Sequence, residues 1–219
     1  MGIKFNEAQG KAKKLANSYE YKEGENTLRF FGDIMPRYIY WLKGAKNNDL
    51  PAECLSFDRK EERFTNIEKD WVKEYFPDKK CGWAYVIQAI DPIKGEVVLV
   101  NLKKKLFEQI KTAAEDLGDP TDPTTGWDIV FKRVKTGPMA FNVEYTLQVL
   151  RCKKRPLTEA ELEMVANAKS IEEIMPRHTA DEQKKFLEEQ ILSGGTAGGE
   201  KVPDELGGSN VEQADDLPS

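Results

Sequence analysis

GWAYVIQAIDPIKGEVVLVNLKKKLFEQI, residues 82–110, changes its pattern twice within one short stretch. GWAYVIQAI is rich in aromatic and β-branched residues and stops at Asp91-Pro92; EVVLVNL is a second run of the same kind, opened by Gly95. Short runs of this composition bounded by turn residues read as two strands. In the first, Trp83 and Tyr85 fall on one side, with Ala84 and Val86 on the other, because side chains alternate along a strand. After Lys103-Lys104-Lys105 the period lengthens. Leu106, Ile110, Ala113 and Ala114 recur at helical spacing and Gly118 is placed to end the run, which predicts a helix over 103–117.

Working outward, NTLRFFGD, PRYIYWLK, PAECLSF, WDIVFKRVK and NVEYTLQVLR have the same strand-like character. The fold expected is mainly β, an OB-fold-like Greek-key barrel with an inserted helix. Beyond Pro156 the signals turn helical. Thr158-x-x-Glu161, Ser170-x-x-Glu173 and Thr179-x-x-Glu182 each fit the capping box, in which a hydroxyl and a carboxylate satisfy orphan donors at a helix start. Three short helices ending near Leu192 follow. The stretch 193–219 holds six glycines and six acids against one lysine, too little apolar surface to offset the entropy of ordering it, so a disordered acidic tail is expected. The organisation predicted is a basic N-terminal segment (1–25), an OB-like core (26–155), a helical extension (156–192) and the tail (193–219).

Charge divides along the same boundary. Residues 1–155 hold 28 Lys and Arg against 23 Asp and Glu, whereas residues 156–219 hold 5 against 15, so a net charge of −5 hides a basic body joined to an acidic end. A basic body points to a polyanionic partner. No apolar run approaches the ~18 residues of a membrane span. The N-terminus lacks a signal-peptide core, Asn6 stands where a myristoylation pattern needs Ser or Thr, and three cysteines leave one unpaired, so a reducing cytoplasm is the compartment expected.

The usual parts of an active site are missing from the pattern. His178 is the single histidine, and phosphate-loop, nucleophile-elbow and HExxH motifs do not occur. Cys54 and Cys81 are separated by a stretch without Cys or His, whereas a structural zinc takes four ligands, so neither metal nor cofactor is expected and the chain reads as a non-enzyme. What does stand out is aromatic residues interleaved with cations. RYIYWLK, KKCGWAYVI, NLKKKLF, WDIVFKRVK and VEYTLQVLRCKKR combine base-stacking faces with charges able to follow phosphates, as single-stranded nucleic acid requires. The candidate contacts are Arg37, Tyr40, Trp41, Trp83, Tyr85, Lys103, Lys104, Lys105, Lys132, Arg133, Lys135, Tyr145, Arg151 and Lys153. Each aromatic also has a core reading.

Residues 82–110 followed by GWDIVFKRVK (126–135) resemble the core of the T4-type phage single-stranded-DNA-binding, or helix-destabilising, proteins. The order is shared: an aromatic-Trp-Ala strand, Asp-Pro, a strand opened by Gly, and a basic turn into an aromatic-bearing helix. The resemblance implies that Trp83 lies in a DNA cleft and that Lys103 to Lys105 form the basic turn. It also implies self-association along DNA through the basic segment 11–18, and recruitment of replication and recombination proteins by the acidic tail, for a role in replication, recombination and repair. Two departures stand out. Val100 occupies the place of a family tyrosine, and the family's zinc cluster is replaced by the Cys54 to Cys81 stretch, where Trp71, Tyr75 and Phe76 are candidates to hold the loop instead. Rival readings are an adaptor working through its acidic helical end, with the body a mere scaffold, and an RNA-binding OB module, since only a 2′-hydroxyl contact distinguishes the sugars.

A tethered acidic tail at millimolar effective concentration competes for a basic groove. Deleting 193–219 is therefore expected to raise affinity for oligo-dT at low salt, with the gain shrinking to nothing as the Debye length falls from about 10 Å at 0.1 M to about 3 Å at 1 M. The ratio of truncated to full-length affinity across a salt series measures it.

Overall fold

A computed structural model describes residues 17–44, 47–139 and 141–192 of the 219-residue chain. Its strands are β1 (Asn17–Ser18), β2 (Gly24–Met35), β3 (Tyr38–Lys43), β4 (Asp49–Glu53), β5 (Phe57–Asp58), β6 (Arg63–Phe64), β7 (Gly82–Trp83), β8 (Val86–Asp91), β9 (Glu96–Asn101), β10 (Ile129–Lys135) and β11 (Val143–Leu147). Helix α1 (Trp71–Tyr75) precedes β7 and α2 (Lys104–Leu117) follows β9; α3 (Glu159–Asn167), α4 (Ile171–Ile174) and α5 (Ala180–Gln190) complete the order. The tail 193–219 and most of the basic segment 11–18 lie outside the described residues.

Within 82–110 the turn, the second strand and the helix follow the pattern, but the first expected strand is interrupted: Gly82–Trp83 pair with β3 as β7, and β8 begins at Val86 in the other sheet. β8 and β9 pair antiparallel from Val86↔Asn101 to Asp91↔Glu96. Asp91 closes the turn by accepting from Ile93 N (3.0 Å) and Lys94 N (3.2 Å), while Gly95 takes a left-handed φ of 64°. Alternation then divides β8. Ile87 and Ala89 enter the main core with Leu28, Phe30, Leu106, Trp127 and Phe131; Val86 and Ile90 face the other way. That second face is covered by the C-terminal extension: Ile171 packs with Met35, Val86 and Leu99, and Leu157 with Phe31 and Ile90. The polar member of the face, Gln88, donates to Lys169 O at 2.8 Å, so it is satisfied where it is buried. All six residues of β8 are consequently buried.

The fold is mainly β as expected, but its sheets do not close into a barrel. One sheet runs β1-β9-β8-β2-β10-β11, a second β4-β3-β7, and β5-β6 form a hairpin. A side chain, rather than another strand, lies along the outer edge of β11: the Gln109 amide donates to Tyr145 O (3.0 Å) and accepts from Leu147 N (2.8 Å). Helix α2 thus satisfies ladder groups that closure would have paired with backbone. A smaller lobe gathers Tyr40, Leu42, Ala52, Cys54, Phe57 and Val72, and α5 places Leu187 among them.

The helix-start signals hold locally. Thr158 and Thr179 form complete capping boxes with Glu161 and Glu182, and Ser170 accepts from Glu173 N. Arg155, in one of the basic runs, is turned inward: it bonds Asp128 (2.8 Å) and both carboxylate oxygens of Glu161 (2.6 and 2.7 Å). The Arg155 hydrogen bond, with help from Thr158, holds the Glu161 carboxyl at about 2, below its ordinary 4.5. A depressed pKa contributes stability that is complete above the unfolded value and lost as pH falls through the folded one. The difference in urea midpoint between wild type and Glu161→Gln is therefore expected to be constant above pH 4.5 and to shrink toward pH 2.

Candidate nucleic-acid interface

Alternation along the chain places Trp83 and Tyr85 on one side, and their rings stack at 4.4 Å between centroids with 16° between planes. Phe107, one turn into α2, lies 5.7 Å from Trp83 and 6.0 Å from Tyr85. The three differ in exposure: Tyr85 is a core residue, while Trp83 and Phe107 are half-buried at the surface of the main core. A second aromatic group centres on Tyr21, with Tyr145 at 5.2 Å, Tyr19 at 5.3 Å and Phe131 at 5.7 Å.

Residues at the end of β9 join the two groups. The Tyr21 hydroxyl donates to Asn101 O at 2.8 Å, and Arg37 donates to Ala84 O (2.9 Å) and to the Asn101 side chain (3.3 Å). Burial holds the Tyr21 phenol well above its ordinary pKa, so it acts as a neutral donor. Leu102 N donates to Tyr85 O at 2.9 Å, and the ammonium of Lys103 lies 5.6 Å from the centre of the Tyr21 ring, within reach of a cation–π contact. Lys103 also holds the N-cap position of α2 without a side-chain capping bond.

The electrostatics of that cap are unusual for this chain. Helices α3, α4 and α5 each begin with a hydroxyl cap and acids in the first turn. Helix α2 begins with Lys103, makes no side-chain capping bond, has no acid in its first turn, and continues with Lys104 and Lys105. A helix N-terminus carries partial positive charge, so cations there raise a potential that an anion relieves. Lys105 is exposed and Lys104 half-buried.

The structure brings only some of the candidates together. Arg37, Trp83, Tyr85, Lys103, Lys104, Lys105 and Tyr145 belong to the region described. Arg133 lies opposite Tyr145 in the β10–β11 register and bonds Glu23 at 2.8 Å. Lys135 is exposed and shares that strand face. Lys132 lies on the other face, opposite Glu25, which also pairs with Arg151. Lys153 is exposed nearby and its carbonyl accepts from Asp128 N. Trp41 points to the opposite side of β3 from Tyr38 and Tyr40, by alternation.

Tyr40 is a core side chain of the smaller lobe, 1% exposed, with its hydroxyl 3.3 Å from Cys54 Sγ and donating to Asp70 at 3.2 Å. A hydrogen bond between Cys54 and Cys81, together with burial, pushes the Cys54 thiol up, and the same bond pulls Cys81 down. Trp71, Tyr75 and Phe76 pack against this cluster. Among the described residues no group of three or more His, Cys, Asp or Glu is arranged to hold a metal ion, and no helix is long and apolar enough to cross a membrane. Sequence reasoning did not single out Tyr21 or Asn101 as part of this region, and it placed Phe107 in an aromatic-basic run without naming it as a contact. Tyr21 precedes the first strand-like run, and no spacing signal ties it to residues eighty positions away.

No family model matches the chain. It is similar to a curated protein named "Probable ssDNA-binding protein" from Escherichia phage T5, 26% identical over 160 residues. That match takes in 68% of this chain and 60% of the relative's length.

Removing the Tyr40 hydroxyl deletes one of several donors to a buried carboxylate. Tyr40→Phe is expected to cost about 1.5–3 kcal/mol of stability in urea denaturation and to leave affinity for any single-stranded oligonucleotide unchanged, because the ring does not reach the aromatic surface.

Proposed function

We propose that this protein binds single-stranded DNA without turnover, through base stacking at Trp83 and phosphate contacts at Lys104 and Lys105. The observation that carries the reading is the juxtaposition of a half-exposed indole with the uncapped, lysine-bearing start of α2. Stacking is tolerant of base identity, and cations following the backbone bind by releasing counterions, so little sequence preference follows. The similarity to a phage protein named for single-stranded-DNA binding supports the choice of polymer. Arg37 positions the strand of Trp83 through Ala84 and Asn101. Lys135, Arg133 and Tyr145 extend the surface along the β10–β11 hairpin. Lys132, Arg151 and Lys153 contribute to the general field from the other face. The open sheets with α2 across the gap are a variant of the OB plan. Coating of single strands in replication, recombination and repair, self-association through the N-terminal segment and recruitment of partners by the acidic tail complete the reading, as does a phage origin in a host cytoplasm.

The test is a salt series of affinities for oligo-dT, oligo-rU and duplex of equal length, with two variants. Trp83→Ala is expected to weaken binding to oligo-dT by about 1–3 kcal/mol with the fold retained. Replacing Lys104 and Lys105 by Gln is expected to flatten the slope of log K against log[salt] by up to ~1.4, from about 0.7 per phosphate contact, without changing base preference. Unfolding of the Trp83 variant would make the indole a core residue, and a preference for oligo-rU would reassign the polymer.

A further inference from the structure

We propose that Phe64, on the β5–β6 hairpin, is a second base-stacking platform that carries the single-strand track from Trp83 onto the smaller lobe; the proposal rests on the single-stranded-DNA reading above. Phe64 is 39% exposed although it belongs to a ring cluster: it lies 5.0 Å from Tyr38 and 5.3 Å from Phe57, and Phe57 is 2% exposed. The half-buried Tyr38 and buried Phe57 rings pack against Phe64 and hold it, while part of its surface stays in solvent. Tyr38 is directly opposite Trp83 in the β3–β7 register. Directly opposed residues of antiparallel strands place their β-carbons about 5 Å apart on one face, so Tyr38 is a neighbour of both Phe64 and the indole.

A second observation places the hairpin beside the same surface. Glu62, two residues before Phe64, lies close enough to Tyr85 for its charge to add to the effect of burial in raising that phenol above its ordinary pKa, and Tyr85 is stacked on Trp83. The turn therefore lies against the Trp83–Tyr85 pair, and Phe64 continues the aromatic surface rather than standing apart from it.

The occupant is a base, and the charges say what kind of contact it makes. The hairpin and its turn hold Asp58, Glu61 and Glu62 against Arg59, Lys60 and Arg63, a balanced set. Arg59 is bound by Glu53 at 2.7 Å, and Arg63 pairs with Glu61. This segment adds a stacking face without adding net charge to neutralise phosphate. Loss of Phe64 should therefore lower affinity without altering salt dependence, the opposite signature to loss of Lys104 and Lys105.

The experiment uses the full-length protein and oligo-dT of about 4 and about 16 nucleotides, the span of site sizes for one OB-type domain, across a salt series. Phe64→Ala and Phe64→Leu are each expected to weaken the longer oligonucleotide about five- to tenfold with an unchanged salt slope, and to leave the shorter one unaffected; Phe64→Tyr is expected to bind as wild type. A loss with Ala that Leu restores would make Phe64 a packing residue and overturn the proposal, as would an equal loss at both lengths. No loss at either length, with Trp83→Ala weakening both, would overturn the proposal and leave the single-strand reading intact. If Trp83→Ala is also without effect, the reading itself fails and takes this extension with it.

Discussion

The double burial of β8 is the constraint on which the rest of the structure depends. A strand with Ile87 and Ala89 on one face and Val86 and Ile90 on the other cannot sit on a half-solvated sheet, because either face left open would expose a row of apolar side chains. The main core covers the first face. The second is covered only because the chain returns after β11 and lays Leu157, then α3 through Met164 and Val165, then α4 through Ile171 across it. The Arg155 to Asp128 and Glu161 bonds fasten that return at its start, and Leu187 fastens its end into the smaller lobe.

With the back of the sheet closed by helices, a group of part-exposed aromatic side chains with basic neighbours sits against the main core on the opposite side. Trp83, Phe107, Tyr21 and Tyr145 rest on the main core and spend part of their surface there, so each ring is fixed in orientation. A fixed, part-exposed ring loses little conformational freedom on stacking, which favours rigid aromatic faces over flexible apolar chains as platforms for bases. Asn101 holds the arrangement together, taking Tyr21 on its carbonyl and Arg37 on its side chain. Beside it, α2 opens with lysines where the other helices open with hydroxyls and acids. That choice sacrifices helix stability at the cap and gives the surface its positive end.

The same aromatic composition serves two ends, and this separates what was legible from what was not. RYIYWLK and KKCGWAYVI look alike in sequence, yet Tyr40 is locked in the smaller lobe beside Cys54 and Asp70 while Trp83 reaches the surface. Alternation paired Trp83 with Tyr85 but holds no record of their unequal burial, Tyr85 within the main core and Trp83 at its surface. The basic runs divided likewise: Arg155 became an internal tie, while Lys104 and Lys105 stayed at a helix start.

The strand character of 86–91, 96–101 and 129–135, helices α2 to α5, the Asp-Pro turn, the capping boxes and the stop at Gly118 were determined by the sequence alone. Each depends on backbone preferences and contacts within a few residues, which spacing and composition record directly. Whether the sheet closes, which aromatic rings reach solvent and which cations are engaged were decided only by the tertiary structure. Those outcomes depend on partners tens of residues distant, such as Gln109 on the edge of β11 and Asp128 on Arg155. Burial is set by whatever packs from outside the segment, and a local pattern holds no record of it.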